Sequence, residues 1–274
     1  MNITTDDGLS LHARHWPATA AARGQLLIVH GLGEHIDRHA QLAAALAAAG
    51  WDVYGWDHRG HGQSPGRRGD IPDPEALLRD TARAIDTVRR PGHRFVLLGH
   101  SLGGAVAARF VAEGLSARPA AWHRPVDGLV LSSPALDAGL SGAQRLLLAV
   151  AGALAPGLSV GNGLKPGWIS RDPAVVAAYV ADPRVHDRIT ARLTRFILAA
   201  GARAIADAPR WTVPTLLMWA GADRCVAPRG SEAFAAAAPA GVVSARPWPG
   251  CAHEIFNEPE KAEVIAALLA WLKR

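Results

Sequence analysis

The chain alternates short apolar runs with longer stretches in which apolar side chains recur every three or four residues. The short runs predict strands at residues 2–5, 9–16, 25–30, 51–56, 95–98, 128–131, 215–219 and 242–245. The longer stretches predict helices at residues 38–49, 74–90, 102–115, 230–238 and 259–273. Alternation of this kind is typical of a mostly parallel sheet with helices on both faces. The pattern therefore predicts an α/β fold with eight strands.

The alternation stops between about residues 137 and 210. This segment has a helical character and is interrupted by glycine and proline, and the strand pattern resumes after Pro214. An insertion between two strands of one sheet fits better than a separate domain. We therefore predict a core formed by residues 1–136 and 211–274, and a helical cap, or lid, formed by residues 137–210.

Composition and charge describe an ordinary globular protein, with 49% hydrophobic and 19% charged residues. The net charge of +5 comes from scattered arginines, and no nucleic-acid-binding motif accompanies it, so no nucleic-acid partner is expected. The N-terminal residues lack the basic and apolar regions of a secretory signal. No apolar stretch is long enough to span a bilayer. These features predict a cytoplasmic location.

The strongest chemical motif is Gly99-His100-Ser101-Leu102-Gly103-Gly104, which lies between a predicted strand and a predicted helix. Gly-x-Ser-x-Gly in this setting is typical of a nucleophile elbow, a turn so sharp that the residues flanking the serine must be small. The turn would present the hydroxyl at a helix N-terminus, where dipole and free N–H groups favour negative charge. We predict that Ser101 is a nucleophile.

A serine hydroxyl needs an adjacent base, which a third group orients. Asp223 follows the predicted strand 215–219, and His253 follows the last strand, so both are expected at the carboxyl edge of the sheet with Ser101. Their order after the serine is that of α/β hydrolases. Asp57 also ends a strand but precedes the serine. Glu254 and Glu258 are interpreted as surface or capping groups.

The glycine-rich segment His30-Gly31-Leu32-Gly33 follows the first parallel strand and suits an oxyanion loop. The backbone N–H groups of Leu32 and Leu102 are the expected oxyanion donors. Gly31, His100 and Trp168 are the expected lining of the substrate pocket. The cluster Asp57-His58-Arg59-Gly60-His61-Gly62 has no third-ligand motif and is interpreted as a loop beside the site. No metal and no cofactor are predicted.

Cys225 and Cys251 each lie two residues from a predicted member of the triad, Asp223 and His253 respectively. Two cysteines do not make a disulfide framework. The sequence leaves open whether these two sulfurs come close enough to pair.

Taken together, five segments resemble the monoacylglycerol lipase and lysophospholipase branch of the α/β hydrolases, a family of the serine aminopeptidase S33 type. They are residues 30–35, 57–64 and 99–104, the cap residues 169–173 with Tyr179 and Asp182-Pro183, and residues 253–254 with 257–259. One departure is His39, where the family often has tyrosine. The resemblance implies an α/β-hydrolase fold, a triad of Ser101, Asp223 and His253, and a cap that touches lipid and admits an acyl chain.

We therefore hypothesise that the chain is a serine hydrolase that cleaves carboxylic esters, and that its main substrates are monoacylglycerols or related lipid esters. A general carboxylesterase, a thioesterase and a serine peptidase remain alternatives within enzymes. A small-molecule-binding pseudohydrolase is the alternative outside enzymes. The apolar stretch beginning at Leu146 in the cap predicts peripheral membrane contact, with a buried lid helix or a dimer contact as alternatives. The oligomeric state is left open.

Overall fold

A computed structural model describes residues 1–274. Eight strands form one sheet in the order β1-β2-β4-β3-β5-β6-β9-β10. Their bounds are β1 Asn2–Thr4, β2 Ser10–Trp16, β3 Gly24–Val29, β4 Trp51–Trp56, β5 Phe95–His100, β6 Gly128–Ser132, β9 Thr215–Ala220 and β10 Val243–Trp248. β1 and β2 pair antiparallel as a hairpin, β2 pairs antiparallel with β4, and every other pairing is parallel. The predicted eight-stranded, mostly parallel sheet is confirmed.

Helices cover both faces of the sheet because its central strands are apolar on both sides. The bounds of the core helices are α1 Ala40–Ala48, α2 Ala76–Val88, α3 Leu102–Ala112, α7 Pro228–Ala237 and α8 Lys261–Leu272. Apolar side chains of α1 and α8 form one core layer. Those of α2 and α3 form the larger layer on the opposite face, with Trp211 and Phe234. Each strand and helix of the core lies within a few residues of its predicted position.

The expected cap segment contains α4 Gly142–Leu154, β7 Ser159–Gly161, α5 Pro173–Ala181, β8 Arg188–Thr190 and α6 Ala191–Asp207. β7 and β8 form a separate antiparallel ribbon that the sequence did not predict, because three residues are too few to show an alternating pattern. α6 packs against α3, and its apolar face joins the core. The division into core and cap therefore remains a proposal, with α6 belonging structurally to both.

None of the helices combines the length and apolar composition that a membrane span requires.

Candidate active site

The turn that carries Ser101 connects β5 directly to α3. Ser101 has φ 54° and ψ −118°, a positive φ that strains an L-residue. A Cβ atom at Gly99 would collide with the carbonyl oxygen of Gly103, and one at Gly103 would collide with that of Val29. The backbone therefore requires the two glycines that flank the serine. This geometry confirms the strand-turn-helix setting predicted for the elbow.

His253 and Asp223 lie side by side at the carboxyl edge of the sheet. His253 Nδ1 donates to Asp223 Oδ2 at 2.7 Å, and the two side chains are 6% and 1% exposed. Asp223 Oδ1 accepts the backbone N–H groups of Cys225 at 2.8 Å and Val226 at 3.1 Å. The Asp223 carboxylate is thus fixed by contacts on both oxygens. It orients the His253 imidazole so that the second ring nitrogen, Nε2, has no hydrogen-bond partner within the protein.

Opposing effects set the pKa values of this pair. Burial alone would lower the pKa of His253, but the charge and hydrogen bond of Asp223 raise it above its usual value. Burial alone would raise the pKa of Asp223, but His253 and the two backbone N–H groups lower it. A basic imidazole beside an ionised carboxylate is the arrangement that a general base requires.

Ser101 and His253 line the same pocket, although the structure contains no hydrogen bond between the serine hydroxyl and the ring. Such contacts often tighten only when substrate is present. The sequence-predicted nucleophile, base and acid are therefore brought to one edge of the sheet.

The two expected oxyanion donors flank Ser101. Leu32 lies in the loop after β3, and its backbone N–H donates no hydrogen bond within the protein. Leu102 is the first residue of α3, where N–H groups have no intrahelical acceptor. The loop is held by Glu34, whose Oε1 accepts the Gly31 N–H at 2.5 Å. Two free donors beside a nucleophile suit the stabilisation of an oxyanion.

Two chambers of different polarity meet at Ser101. The polar chamber also contains the ionisable side chains of Glu34, Lys165, Tyr179, His253 and Glu254. The apolar chamber, of about 160 Å³, is lined mainly by Leu32, Leu102, Ala135, Ala138, Leu140, Leu164, Ile189, Ile197 and Val226. A larger cavity of about 520 Å³ lies between residues 71–78 and α6 and contains none of these groups. Chemistry, rather than cavity size, identifies the site.

Comparison with known proteins agrees with this geometry. A family model described as serine aminopeptidase, S33, matches residues 20–260. The chain belongs to this family. It is similar to a monoacylglycerol lipase of Mycolicibacterium smegmatis, with 35% identity over 94% of this chain and 90% of that protein. It is 30% identical to a monoglyceride lipase of Rattus norvegicus, over 94% of this chain and 84% of that protein.

A solved structure of a monoacylglycerol lipase from Paleococcus ferrophilus is also similar. It matches with a TM-score of 0.84 and 35% identity, over 96% of this chain and 98% of that chain. The family resemblance and the α/β-hydrolase fold predicted from the sequence are thereby confirmed.

The three residues expected to line the pocket have different outcomes. Gly31 and His100 line the polar chamber. The His100 ring lies 4.8 Å from that of His253, and burial, together with His253, lowers the pKa of His100 to about 3. Trp168 is not among the lining residues and instead contacts Lys165 and Arg224 through its ring face. A lining role for Trp168 therefore stays a prediction.

The segment from Asp57 to Gly62 supports the fold beside the site. Asp57 accepts the backbone N–H groups of Ile36 at 2.8 Å and Gln63 at 2.8 Å. The His58 backbone N–H donates to His30 Nε2 at 2.9 Å. These contacts join the oxyanion loop to the loop after β4.

Both cysteines are free thiols. Cys225 lines both chambers, and burial followed by the nearby Asp223 charge raises its pKa. Cys251 Sγ faces Glu260 at 3.8 Å. No disulfide joins them.

Sequence reasoning missed a group of buried ionisable residues beside the triad. Glu254 and Glu258, interpreted from sequence as surface or capping groups, are 6% and 0% exposed, so the surface interpretation was wrong. Both do lie at the ends of a short 3₁₀ helix, Ile255–Asn257. Glu34 and Arg38 are also buried, and they contact the loops that carry the proposed chemistry. The one available signal was that Glu254 directly follows the predicted base. Periodicity does not predict burial in irregular loops.

Proposed function

We propose that this protein hydrolyses carboxylic esters through an acyl-enzyme, and that its substrates are monoacylglycerols or closely related lipid esters. The observation that carries this proposal is the meeting of an apolar and a polar chamber at Ser101. A monoacylglycerol has one apolar and one polar half joined at the scissile ester. The names of the similar proteins from Mycolicibacterium smegmatis and Rattus norvegicus support the same substrate class.

In the proposed mechanism Ser101, His253 and Asp223 act as a triad. His253 Nε2 accepts the proton of the Ser101 hydroxyl as the oxygen attacks the ester carbonyl. The N–H groups of Leu32 and Leu102 stabilise the oxyanion. Asp223 holds the imidazole in the required tautomer and stabilises its positive charge. His253 then protonates the leaving alcohol, and water cleaves the acyl-enzyme by the same route. No step requires a metal or cofactor.

The chambers suggest how a monoacylglycerol would bind. The acyl chain would enter the apolar chamber, where burying each methylene contributes about 0.8 kcal/mol. The glycerol hydroxyls would face the polar chamber, which at about 30 Å³ must widen to admit them and to which Tyr179 contributes a hydroxyl group. Burial raises the pKa of Tyr179 to about 12, reinforced by Glu34 and Glu254, so its hydroxyl remains a donor at neutral pH.

The cap offers a surface for the lipid aggregate. Exposed apolar side chains are concentrated on α4 and the segment after it: Leu146, Leu147, Val150, Leu154, Leu158 and Val160. An exposed patch of this kind is typical of an interaction surface. We include peripheral membrane contact through this patch in the proposal. The cytoplasmic location remains a prediction, with which the two free thiols agree.

The test is a comparison of substrate series. Turnover should be measured on monoacylglycerols of increasing chain length and on short p-nitrophenyl esters and thioesters. Preference for long-chain monoacylglycerols, with loss of about four orders of magnitude in kcat in Ser101→Ala, is expected. Turnover restricted to short esters would contradict the lipid substrate and favour a general carboxylesterase. Preference for thioesters would favour a thioesterase.

A further inference from the structure

We propose that Arg38 and Glu254 are positioning residues that lock the oxyanion loop to the loop carrying His253, with Arg38 also balancing the charge around the base. The inference rests on the proposed function, since it assigns roles to residues outside the triad. Its basis is a three-residue bridge of buried charges formed by Glu34, Arg38 and Glu254, here called the charged bridge.

The charged bridge connects two segments that are far apart in the sequence. Arg38 Nη2 donates to Glu254 Oε1 at 2.8 Å and Oε2 at 2.6 Å. Arg38 Nε lies 3.5 Å from Glu34 Oε2. The side chains of Arg38, Glu34 and Glu254 are 9%, 5% and 6% exposed. Buried charges keep their partners, because an unpaired charge would be strongly destabilising.

At its first end the charged bridge holds the oxyanion loop. Glu34 Oε1 accepts from the Gly31 backbone at 2.5 Å and from His39 Nε2 at 3.1 Å. The Gly31 peptide directly precedes Leu32, whose N–H is the proposed oxyanion donor. Moving Glu34 would therefore reorient that donor relative to Ser101.

At its second end the charged bridge holds the base. Glu254 directly follows His253, and its backbone N–H donates to the cap residue Ile169 at 2.8 Å. Glu254 Oε2 also accepts from Asn257 Nδ2 at 2.8 Å. The position of the imidazole is thus coupled through Arg38 to the position of the oxyanion donor.

The charged bridge also contributes to the electrostatic environment of His253. Burial lowers the pKa of His253, whereas Asp223, and then Glu254 and Glu34, raise it. The ionisable groups that face this region from all neighbouring elements are Glu34, Arg38, His39, His100, Lys165, Tyr179, Asp223, Cys225 and Glu254. Arg38 is the cation between the two bridge carboxylates, hydrogen-bonded to Glu254 and 3.5 Å from Glu34. Removing Glu254's charge should lower the pKa of His253, and removing Arg38's charge should raise it.

These opposite shifts distinguish positioning from simple structural support. A residue that only stabilised the fold would change the free energy of unfolding without moving the acid limb of kcat/KM, which reports the base of the free enzyme. The buried pair Arg59–Asp80 illustrates such support, because it lines neither chamber.

The experiment measures kcat/KM against pH with a soluble p-nitrophenyl ester for wild type, Glu254→Gln, Arg38→Met and Arg38→Lys. The acid limb of the kcat/KM profile should shift to lower pH by about one unit in Glu254→Gln and to higher pH by a similar amount in Arg38→Met. Arg38→Lys should restore the wild-type limb while lowering kcat, since a single ammonium cannot contact Glu254 and Glu34 at the same time as Nη2 and Nε of Arg38 do. Asp86→Asn is the control, because Asp86 lies on α2, pairs with Arg124 and lines neither chamber.

The outcomes separate the two proposals. If Arg38→Met does not fold, Glu254→Gln and Arg38→Lys still decide the inference. If the acid limb of Glu254→Gln is unchanged or lies at higher pH than that of wild type, the positioning role is wrong. The proposed function is unaffected by that result as long as the wild-type protein hydrolyses the ester. A wild-type protein that hydrolyses no ester would overturn the proposed function and this inference together. A shift in Asp86→Asn equal to that in Glu254→Gln would overturn the specific role of the bridge.

Discussion

Replacing Asp223 with asparagine should remove almost all activity while leaving the fold intact. In the native protein Asp223 Oδ1 accepts two backbone N–H groups, those of Cys225 and Val226. The side-chain oxygen of asparagine can keep both bonds, so its amide nitrogen occupies the place of Oδ2, 2.7 Å from His253 Nδ1. An amide nitrogen donates, which forces the imidazole to carry its proton on Nε2. That nitrogen then cannot accept the proton of Ser101.

The expected magnitude follows from the loss of the base. A wrong tautomer in a serine triad lowers kcat by about 10⁴-fold, which corresponds to about 5.5 kcal/mol in the activation free energy. The free energy of unfolding should fall by only about 1 kcal/mol, because both backbone contacts persist. The assay is kcat for a p-nitrophenyl ester, beside chemical denaturation of the same preparation.

Asp127→Asn is the matched control for this change. Asp127 Oδ2 accepts the Phe95 backbone N–H at 2.7 Å, at the end of β5 opposite to Ser101. It should retain wild-type kcat. A folded Asp223→Asn protein that loses less than about tenfold in kcat would show that the imidazole tautomer does not control the chemistry.

Three further outcomes are expected. Gly103→Ala should lower the free energy of unfolding in urea by about 1–3 kcal/mol, because its Cβ would meet the Val29 carbonyl oxygen; wild-type stability would contradict the tight turn. Burial first, and then neighbouring cations or imidazoles, lowers the pKa of His58 and His61 to about 3. Unfolded histidines bind protons below about pH 6.5 whereas these two do not in the folded protein, so the free energy of unfolding in urea should fall by about 1–2 kcal/mol for each histidine between pH 7 and pH 5. Constant stability over this range would contradict the lowered pKa values. Leu147→Glu should weaken binding to lipid vesicles at least about tenfold, since this side chain is 68% exposed; unchanged co-sedimentation would rule out this face.

The sequence predicted the core of the fold well because each core strand is a continuous apolar run. Leu26 to Val29, for example, is buried on both sides of the sheet, and Gly50 ends the following helix with φ +90°. The positions of Ser101, Asp223 and His253 followed from strand ends, since parallel strands place their carboxyl ends at one edge. Both features can be predicted from short stretches of sequence, because they depend on neighbouring residues and not on long-range contacts.

The cap and the charged bridge were less predictable for a physical reason. Contacts such as Arg38 with Glu254 join residues far apart in the sequence, and their burial depends on how two loops meet. The ring face of Trp168 lies over Lys165 and Arg224, and its position in the cap sequence did not predict either contact. Side-chain pairing of this kind is not encoded in hydrophobic periodicity.

The central claim is that Ser101 is a nucleophile activated by His253, and covalent labelling tests it most directly. The native protein should be treated with a fluorophosphonate, followed by intact-mass measurement and peptide mapping. We expect one adduct, located on Ser101, absent in Ser101→Ala and formed far more slowly in His253→Ala. No adduct on folded wild-type protein, or an adduct that persists in Ser101→Ala, would contradict it.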